Sequence, residues 1–363
     1  MTSKAHAEVR QTQDVASKRP QALEQLALAH ATRLIHRVCC LAGKTDLIDE
    51  IRSDNRPVRS AIERHDTGAL FDWLMGMVSY QGISDQVASG YMELHGRTKW
   101  CEIERALANK PSCPKLESYW HFYDCKYHKT SGTCAEPEHV AHCPLPTHTL
   151  RNGRLNQSAY SLYLFIRDIA NNDLVGWIED QLKSVDVPGD PDRLGRMRNA
   201  LLEPLRHVHG VADKVLSMAL SVLLLAAPRK MKVWAEVGAG MMAIDTLVHN
   251  FLVRTGILRR FNAEHVYGPA CYQRGGCADI IQAVAQAIDA RQFNPRFPKA
   301  FPRFVQHAIW RYCAENGTAT ASTTARVATI CIAECAACVI ASRYVMIAEN
   351  RLNLPENVVF SAI

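Results

Sequence analysis

Val208-His209-Gly210-Val211-Ala212-Asp213-Lys214 lies between two apolar helical runs, Leu194 to His207 and Val215 to Ala227. Its glycine marks a sharp turn, and Lys214 follows in the first turn of the second helix. Cations are disfavoured there, because the unpaired backbone N–H groups at a helix start carry partial positive charge. Beside an apolar helix, the dipole and desolvation both act to lower the amine's pKa. A neutral amine is a nucleophile able to form a Schiff base with an aldehyde-like carbon. The plainer reading is a surface lysine next to Asp213. The turn also reads two ways. Outward-facing amides of residues 210 to 213 bind phosphate at a helix N-terminus, and an ordinary αα-corner carries glycine for geometry alone.

Further along, Ile244-Asp245-Thr246 opens a helix that continues through Leu247, Val248, Phe251 and Leu252. Alone, Asp245 reads as an N-cap. With Lys214 it gives the chain an amine at one helix start and a carboxylate at another.

The surrounding pattern is helical. Near-helical spacing of apolar residues runs from Ala22 to Ile62. Asp66-Thr67 caps a helix carrying Leu70, Phe71, Trp73, Leu74, Met77 and Val78, and Ser84 caps one reaching about Leu94. More helix is expected over Asn156–Ile169, Leu194–His207, 211–226, Asp245–Leu258, Ala278–Ala290 and Pro302–Ala314. A basic loop (Pro228, Arg229, Lys230, Lys232) intervenes. No strand pattern emerges, so the expected class is all-α.

Composition sets outer bounds. The 363 residues are 48% hydrophobic and 21% charged, as in a soluble globular protein, and the net charge of +6 permits a polyanionic partner without demanding one. The N-terminus has no apolar core of a secretory signal. Val215 to Ala227 is shorter than the roughly 20 residues that span a bilayer. The expectation is a cytoplasmic protein with no membrane partner. Its thirteen cysteines are then poor candidates for structural disulfides, and those that cluster read as metal ligands.

Residues 101–150 lose all periodicity. They hold cysteines 101, 113, 125, 134 and 143, histidines 121, 128, 139, 142 and 148, and five prolines. Cys113, Cys125, Cys134 and Cys143 have 11, 8 and 8 residues between them, and Cys113 and Cys143 precede proline. A Cys-Pro ending is common among iron–sulfur ligands, which favours a [4Fe-4S] cluster. Zinc is the alternative, with a nearby histidine replacing one thiolate, and unliganded thiols are the plain reading. Tyr119, Trp120, Phe122, Tyr123 and Tyr127 would shield a cluster. In the tail, Cys331, Cys335 and Cys338 fall on one helix face, with Cys313 as a fourth candidate, although small apolar core residues explain them as well. Cys39-Cys40, Cys271 and Cys277 suggest no specific chemistry, and Gly275-Gly276 reads as a turn.

His209-Gly210-Val211-Ala212-Asp213-Lys214-Val215 resembles the hairpin signature of the helix-hairpin-helix DNA glycosylases, the superfamily of endonuclease III and 8-oxoguanine glycosylase. Ala243-Ile244-Asp245-Thr246 resembles its catalytic aspartate segment. Ser79-Tyr80-Gln81-Gly82-Ile83-Ser84-Asp85 is similar to the Ser-x-Gln-x-x-Ser/Thr-Asp stretch of endonuclease III-like members. The chain departs from the family in carrying His209 for proline, Ala212 for a second glycine, and a longer Lys214–Asp245 segment through a Pro228–Gly240 loop.

The resemblance covers residues 66–314 and implies a two-lobed all-α fold with the irregular Cys/His-rich insert at 101–150. A helical extension would occupy 1–65 and an apolar tail 315–363. It further implies a monomer acting on double-stranded DNA. The target base is flipped out and Gln81 fills the gap. Lys214 attacks the sugar anomeric carbon, Asp245 stabilises the developing charge, and strand cleavage at the abasic site follows. His209, Gly210, Val211 and Ala212 would hold a phosphate, with Arg229, Lys230 and Lys232 adding contacts. A non-catalytic, metal-containing DNA-binding protein of the same fold is the alternative.

Overall fold

The computed structural model describes residues 23–80, 85–108, 113–147 and 155–315. Gln81, the expected cap Ser84 and the cysteines of the tail lie outside the described residues. In chain order the helices are α1 (23–42), α2 (Leu47–Asp54), α3 (Arg56–Glu63), α4 (Thr67–Val78), α5 (Asp85–His95), α6 (Trp100–Ala108), α7 (Tyr119–Phe122), α8 (Pro137–Val140), α9 (Asn156–Asp168), α10 (Leu174–Ser184), α11 (Arg193–Leu205), α12 (Asp213–Ala226), α13 (Lys232–Ala239), α14 (Thr246–Arg254), α15 (Ile257–Arg260), α16 (Cys277–Ala287) and α17 (Pro302–Glu315). The all-α expectation holds. The strands found among the described residues are a two-residue pair in the insert, β1 (Tyr127–His128) and β2 (Thr133–Cys134), which sequence periodicity is too short to reveal. No described helix is long and apolar enough to cross a membrane.

The chain divides into two compact units. The larger holds Thr45–Ala243 and Ala290–Phe304. The smaller holds, among described residues, 23–44, Ile244–Asp289 and 305–315. This division differs from the expected one, because α2 and α3 pack on α12 rather than forming an N-terminal extension.

The larger unit is built around α12. Val215, Leu216, Ala219, Leu220, Leu223, Leu224 and Leu225 are all buried, so the helix is apolar around most of its circumference. A helix of that kind is stable only when surrounded, and α2, α3, α4, α11 and α13 pack against it. Arg52 Nε donates to the Leu225 carbonyl at 3.1 Å, satisfying an acceptor in the last turn. The expected Pro228–Gly240 loop is instead largely helix α13, whose Trp234 and Val237 are buried. Its eight residues are too few for periodicity to stand out beside a basic stretch.

Helices α12 and α13 approach closely through Gly238. Ser221 Oγ donates to the Gly238 carbonyl at 3.1 Å, and a Cβ on Gly238 would stand 2.8 Å from Leu224 Cβ and 3.2 Å from the Leu225 nitrogen. Alanine would add about 1 kcal/mol of helix propensity, yet overpacking costs about 1–3 kcal/mol. Gly238→Ala is therefore expected to lower unfolding free energy in chemical denaturation. Stabilisation would contradict this close packing.

In the smaller unit, α1 buries Ala27, Ala31, Leu34, Ile35 and Val38, a single helical stripe. The expected single helix Asp245–Leu258 is split, because Gly256 adopts φ +68° and ends α14 before α15 begins. Phe251 of α14 meets Tyr312 of α17 edge-on at 6.5 Å.

The insert is fastened to α9 by side chains at both ends of that helix. Asn156 Nδ2 donates to the Leu145 carbonyl at 2.6 Å and to Tyr127 Oη at 3.2 Å, and Gln157 Nε2 donates to the Cys125 carbonyl at 3.3 Å. At the far end, the Tyr119 amide donates to Asp168 Oδ2 and Arg167 donates to the Glu117 carbonyl, both at 2.7 Å.

Candidate functional site

Gly210 turns the chain between α11 and α12. Its φ of +73° lies in the left-handed region, and a Cβ there would sit 2.7 Å from Ser158 Oγ. Ala212 then takes an extended conformation as the N-cap of α12, with no side-chain acceptor for the first helical amides. Lys214 is the second residue of α12 and is half-buried. The neighbouring carboxylate does not claim its amine: Asp213 Oδ1 accepts from Arg206 Nε at 2.6 Å. Lys214 has no hydrogen-bond or ion-pair partner among the described residues. This arrangement weakens the plain reading of a lysine paired with Asp213.

His209 is used differently from the expected phosphate contact. Its amide donates to Ser161 Oγ at 3.0 Å, and the Val211 amide turns back to the Val208 carbonyl at 3.4 Å. The His209 ring packs edge-on to Phe122 at 5.6 Å and lies 6.3 Å from Tyr123. This histidine docks the insert onto the hairpin. Burial lowers its pKa, partly offset by the Phe122 and Tyr123 backbone. The folded state thus binds this proton less readily than the unfolded chain, whose histidines titrate near about 6.5. Stability from this site is fully present above that pH and falls as pH drops toward the lowered folded value. His209→Asn should shrink the loss of denaturation midpoint between pH 7.5 and pH 5.5; an unchanged pH slope would contradict the docking role.

Asp245 is the N-cap of α14, extended at φ −110° and ψ −177°, and its Oδ1 accepts from the Val248 amide at 2.9 Å. Burial first and the Asp245 charge second push up the pKa of Tyr267, and of Cys313 to about 11. The Ile244 amide donates to Tyr272 Oη at 2.7 Å, which fixes the backbone just before Asp245. Lys214 belongs to the larger unit and Asp245 to the smaller.

Arg229, Lys230 and Lys232 are exposed and have no ion-pair partner among the described residues. Arg229 and Lys232 line a cleft of about 400 Å³ together with Arg52 and Arg296. Arg296 is already committed to Asp49, at 2.5 and 3.3 Å, and Arg52 to Leu225. Among the described residues only Arg296 has its charge paired, so the unpaired positive charge of the cleft is that of Arg52, Arg229 and Lys232.

Cys113, Cys125, Cys134 and Cys143 all lie in the insert, but among the described residues the group whose ligand atoms come close enough to hold one ion is a different one. The charge on any one of the four insert thiols acts on each of the other three. The Glu136 amide donates to Cys134 Sγ at 3.4 Å. Amide donors favour the thiolate. Burial, and behind it the neighbouring thiols, oppose it, raising Cys113 and Cys143 and pushing Cys125 up to about 11. A bound cation would reverse that opposition. The aromatic surround is only partly as expected. Phe122 and Tyr127 are buried, whereas Trp120 and Tyr123 are 64% and 73% exposed and shield little.

The group that could hold a metal ion lies wholly in the smaller unit. The ligand atoms of His249, His265, Cys271 and Cys277 all fall within 4.8 Å of one another. Sequence reading passes over it, with Cys271 and Cys277 taken to have no specific chemistry and the two histidines unremarked. The available signal is the even run of five residues between His265 and Cys271 and five between Cys271 and Cys277, around the Gly275-Gly276 turn.

No family model, curated protein or solved structure matches the chain.

Proposed function

We propose that the protein is a DNA glycosylase with abasic-site lyase activity. The observation that carries this reading is Lys214: a half-buried amine, unpaired among the described residues, placed in the first turn of α12 directly after the left-handed turn at Gly210. An ordinary structural lysine has little reason to occupy the positive end of a helix, whereas a Schiff-base nucleophile uses both the dipole and the partial burial. In this reading the target nucleotide is flipped out of the duplex. Lys214 Nζ bonds to the sugar anomeric carbon, the bond to the base breaks, and the base leaves with a proton. The bond from the anomeric carbon to the ring oxygen then breaks, that oxygen taking a proton as the amine loses its own, which gives the ring-opened Schiff base. Loss of a proton from the neighbouring C2′ carbon then drives β-elimination, which breaks the bond to the 3′ phosphate oxygen. Asp245 carries the negative charge that opposes the cationic sugar. Arg229, Lys230 and Lys232 supply sequence-independent phosphate contacts.

Cys113, Cys125, Cys134 and Cys143 would hold a [4Fe-4S] cluster, which when bound supplies a rigid, four-thiolate staple for an insert otherwise short of core. The chain's own part is to present the four sulfurs and to anchor the insert to α9 and His209. Anaerobically purified protein should show the broad visible absorption of thiolate-to-iron charge transfer and lose it in Cys125→Ser. A colourless protein holding zinc in a sulfur-rich shell would replace the cluster by the zinc alternative.

The function is tested with a duplex carrying one abasic site. Wild-type protein should nick that strand and leave a β-elimination end. Salt-dependent binding without any nick would leave either a glycosylase without lyase activity or a non-catalytic DNA-binding protein, which base-release assays on modified duplexes separate.

A further inference from the structure

We propose that His249, His265, Cys271 and Cys277 bind a single Zn²⁺ in a closed, four-ligand site, separate from the four-cysteine insert. The site rests on distances. His249 Nδ1 lies 3.4 Å from Cys277 Sγ and 3.6 Å from Cys271 Sγ, and His265 Nε2 lies 3.4 Å from Cys277 Sγ. With Zn–S of about 2.3 Å and Zn–N of about 2.0–2.1 Å at a tetrahedral angle, the sulfur-to-nitrogen edge is about 3.6 Å. The three observed edges have that length. All four donor atoms lie within 4.8 Å of one another, so one ion reaches them together.

The same distances argue against a two-iron cluster with mixed ligands. There the histidines sit on one iron and the cysteines on the other, which would hold imidazole and thiolate apart rather than on one tetrahedral edge. A tetrahedral set of two sulfurs and two nitrogens is the preference of zinc. With four protein ligands no position is left open, so the ion is structural rather than catalytic.

Local structure prepares each ligand. His265 Nδ1 is 2.6 Å from the Ala263 carbonyl, to which its N–H donates, and this leaves the Nε2 lone pair facing Cys277. His249 is buried one turn into α14. Cys277 is the first residue of α16, where unpaired helix amides favour a thiolate. Between the cysteines, Gly275 takes φ +77°, and a Cβ on Gly276 would lie 2.3 Å from the Ala270 carbonyl oxygen. The turn is therefore folded tightly enough to return the chain to Cys271. Both thiols are fully buried. On binding, the two S–H bonds break, two protons leave to solvent, and Zn²⁺ with two thiolates and two neutral imidazoles carries no net charge. A neutral site avoids the cost of burying a net charge.

The ion would tie α14 to the segment 263–277. That segment carries Tyr272, whose Oη accepts the Ile244 amide beside Asp245. Metal binding itself does not depend on the glycosylase reading, and its test measures no activity. Full-length protein carrying Cys125→Ser and Cys134→Ser, which silences the insert, should retain about one zinc per chain by elemental analysis. X-ray absorption at the zinc edge should show two sulfurs and two nitrogens. Adding Cys271→Ser and Cys277→Ser should remove the ion. The milder His265→Cys should keep it and change the shell to three sulfurs and one nitrogen, which guards against loss of metal by misfolding alone. A folded Cys125→Ser/Cys134→Ser protein without stoichiometric zinc would overturn the site. So would zinc whose shell stays unchanged in His265→Cys.

Discussion

Lys214→Ala is expected to slow nicking of an abasic-site duplex by at least about 10³-fold, a loss of roughly 4 kcal/mol of transition-state stabilisation. Removal of a nucleophile has an effect of this size because no neighbouring group takes over bond formation to the sugar. Duplex affinity should change little, since the exposed cations Arg229, Lys230 and Lys232 remain. Stability should change little as well. Lys214 makes no ion pair or hydrogen bond among the described residues, and alanine at a helix start relieves an unfavourable charge–dipole interaction of about 0.3–1 kcal/mol. A large loss of activity with unchanged or slightly raised stability is thus the signature of a chemical role. A surface lysine would show the same stability and an unchanged rate.

Asp245→Asn should lower the same rate by about 10²–10³-fold, the range for loss of one electrostatic stabiliser. This substitution separates the observed capping role from the proposed electrostatic one. As an N-cap, Asp245 accepts the Val248 amide at 2.9 Å, and asparagine caps a helix about as well as aspartate. If capping were its whole contribution, Asp245→Asn would be silent in both stability and rate. If the negative charge opposes a cationic sugar, the rate falls while the denaturation midpoint holds. Asp245→Ala should do both, with about 1 kcal/mol lost from the cap. Equal rates for wild type and Asp245→Asn would assign the residue to the helix alone.

Much of this could be read before any coordinates. The apolar run Val215–Ala227 is too uniform for a surface helix, and it forms the centre of the larger unit. Asp66 and Asp245 cap their helices as their position before apolar runs suggests, accepting the Ala69 and Val248 amides. The four insert cysteines read as a set because they crowd a segment with no other means of support, whereas the ligand atoms that come within reach of one ion are those of His249, His265, Cys271 and Cys277. Helix α13 was not, since its eight residues follow proline and three cations that read as loop. The role of His209 needed the fold, because its partners Phe122 and Tyr123 are distant in sequence. The second cysteine–histidine group was hidden for a related reason. His249 comes from a helix and is separated from His265 by 15 intervening residues, so no local spacing announces that the four side chains meet.

The most direct measurement is borohydride trapping on a duplex with one abasic site, with the adduct mapped by mass spectrometry. Reduction fixes a Schiff base as a stable bond, so the nucleophile is identified without knowing which base the protein removes. Wild type should give a covalent protein–DNA adduct on Lys214, and Lys214→Ala should fall to the background of other amines. An adduct on a different residue, or none above the Lys214→Ala background while the duplex is demonstrably bound, would contradict the assignment of Lys214 as the nucleophile.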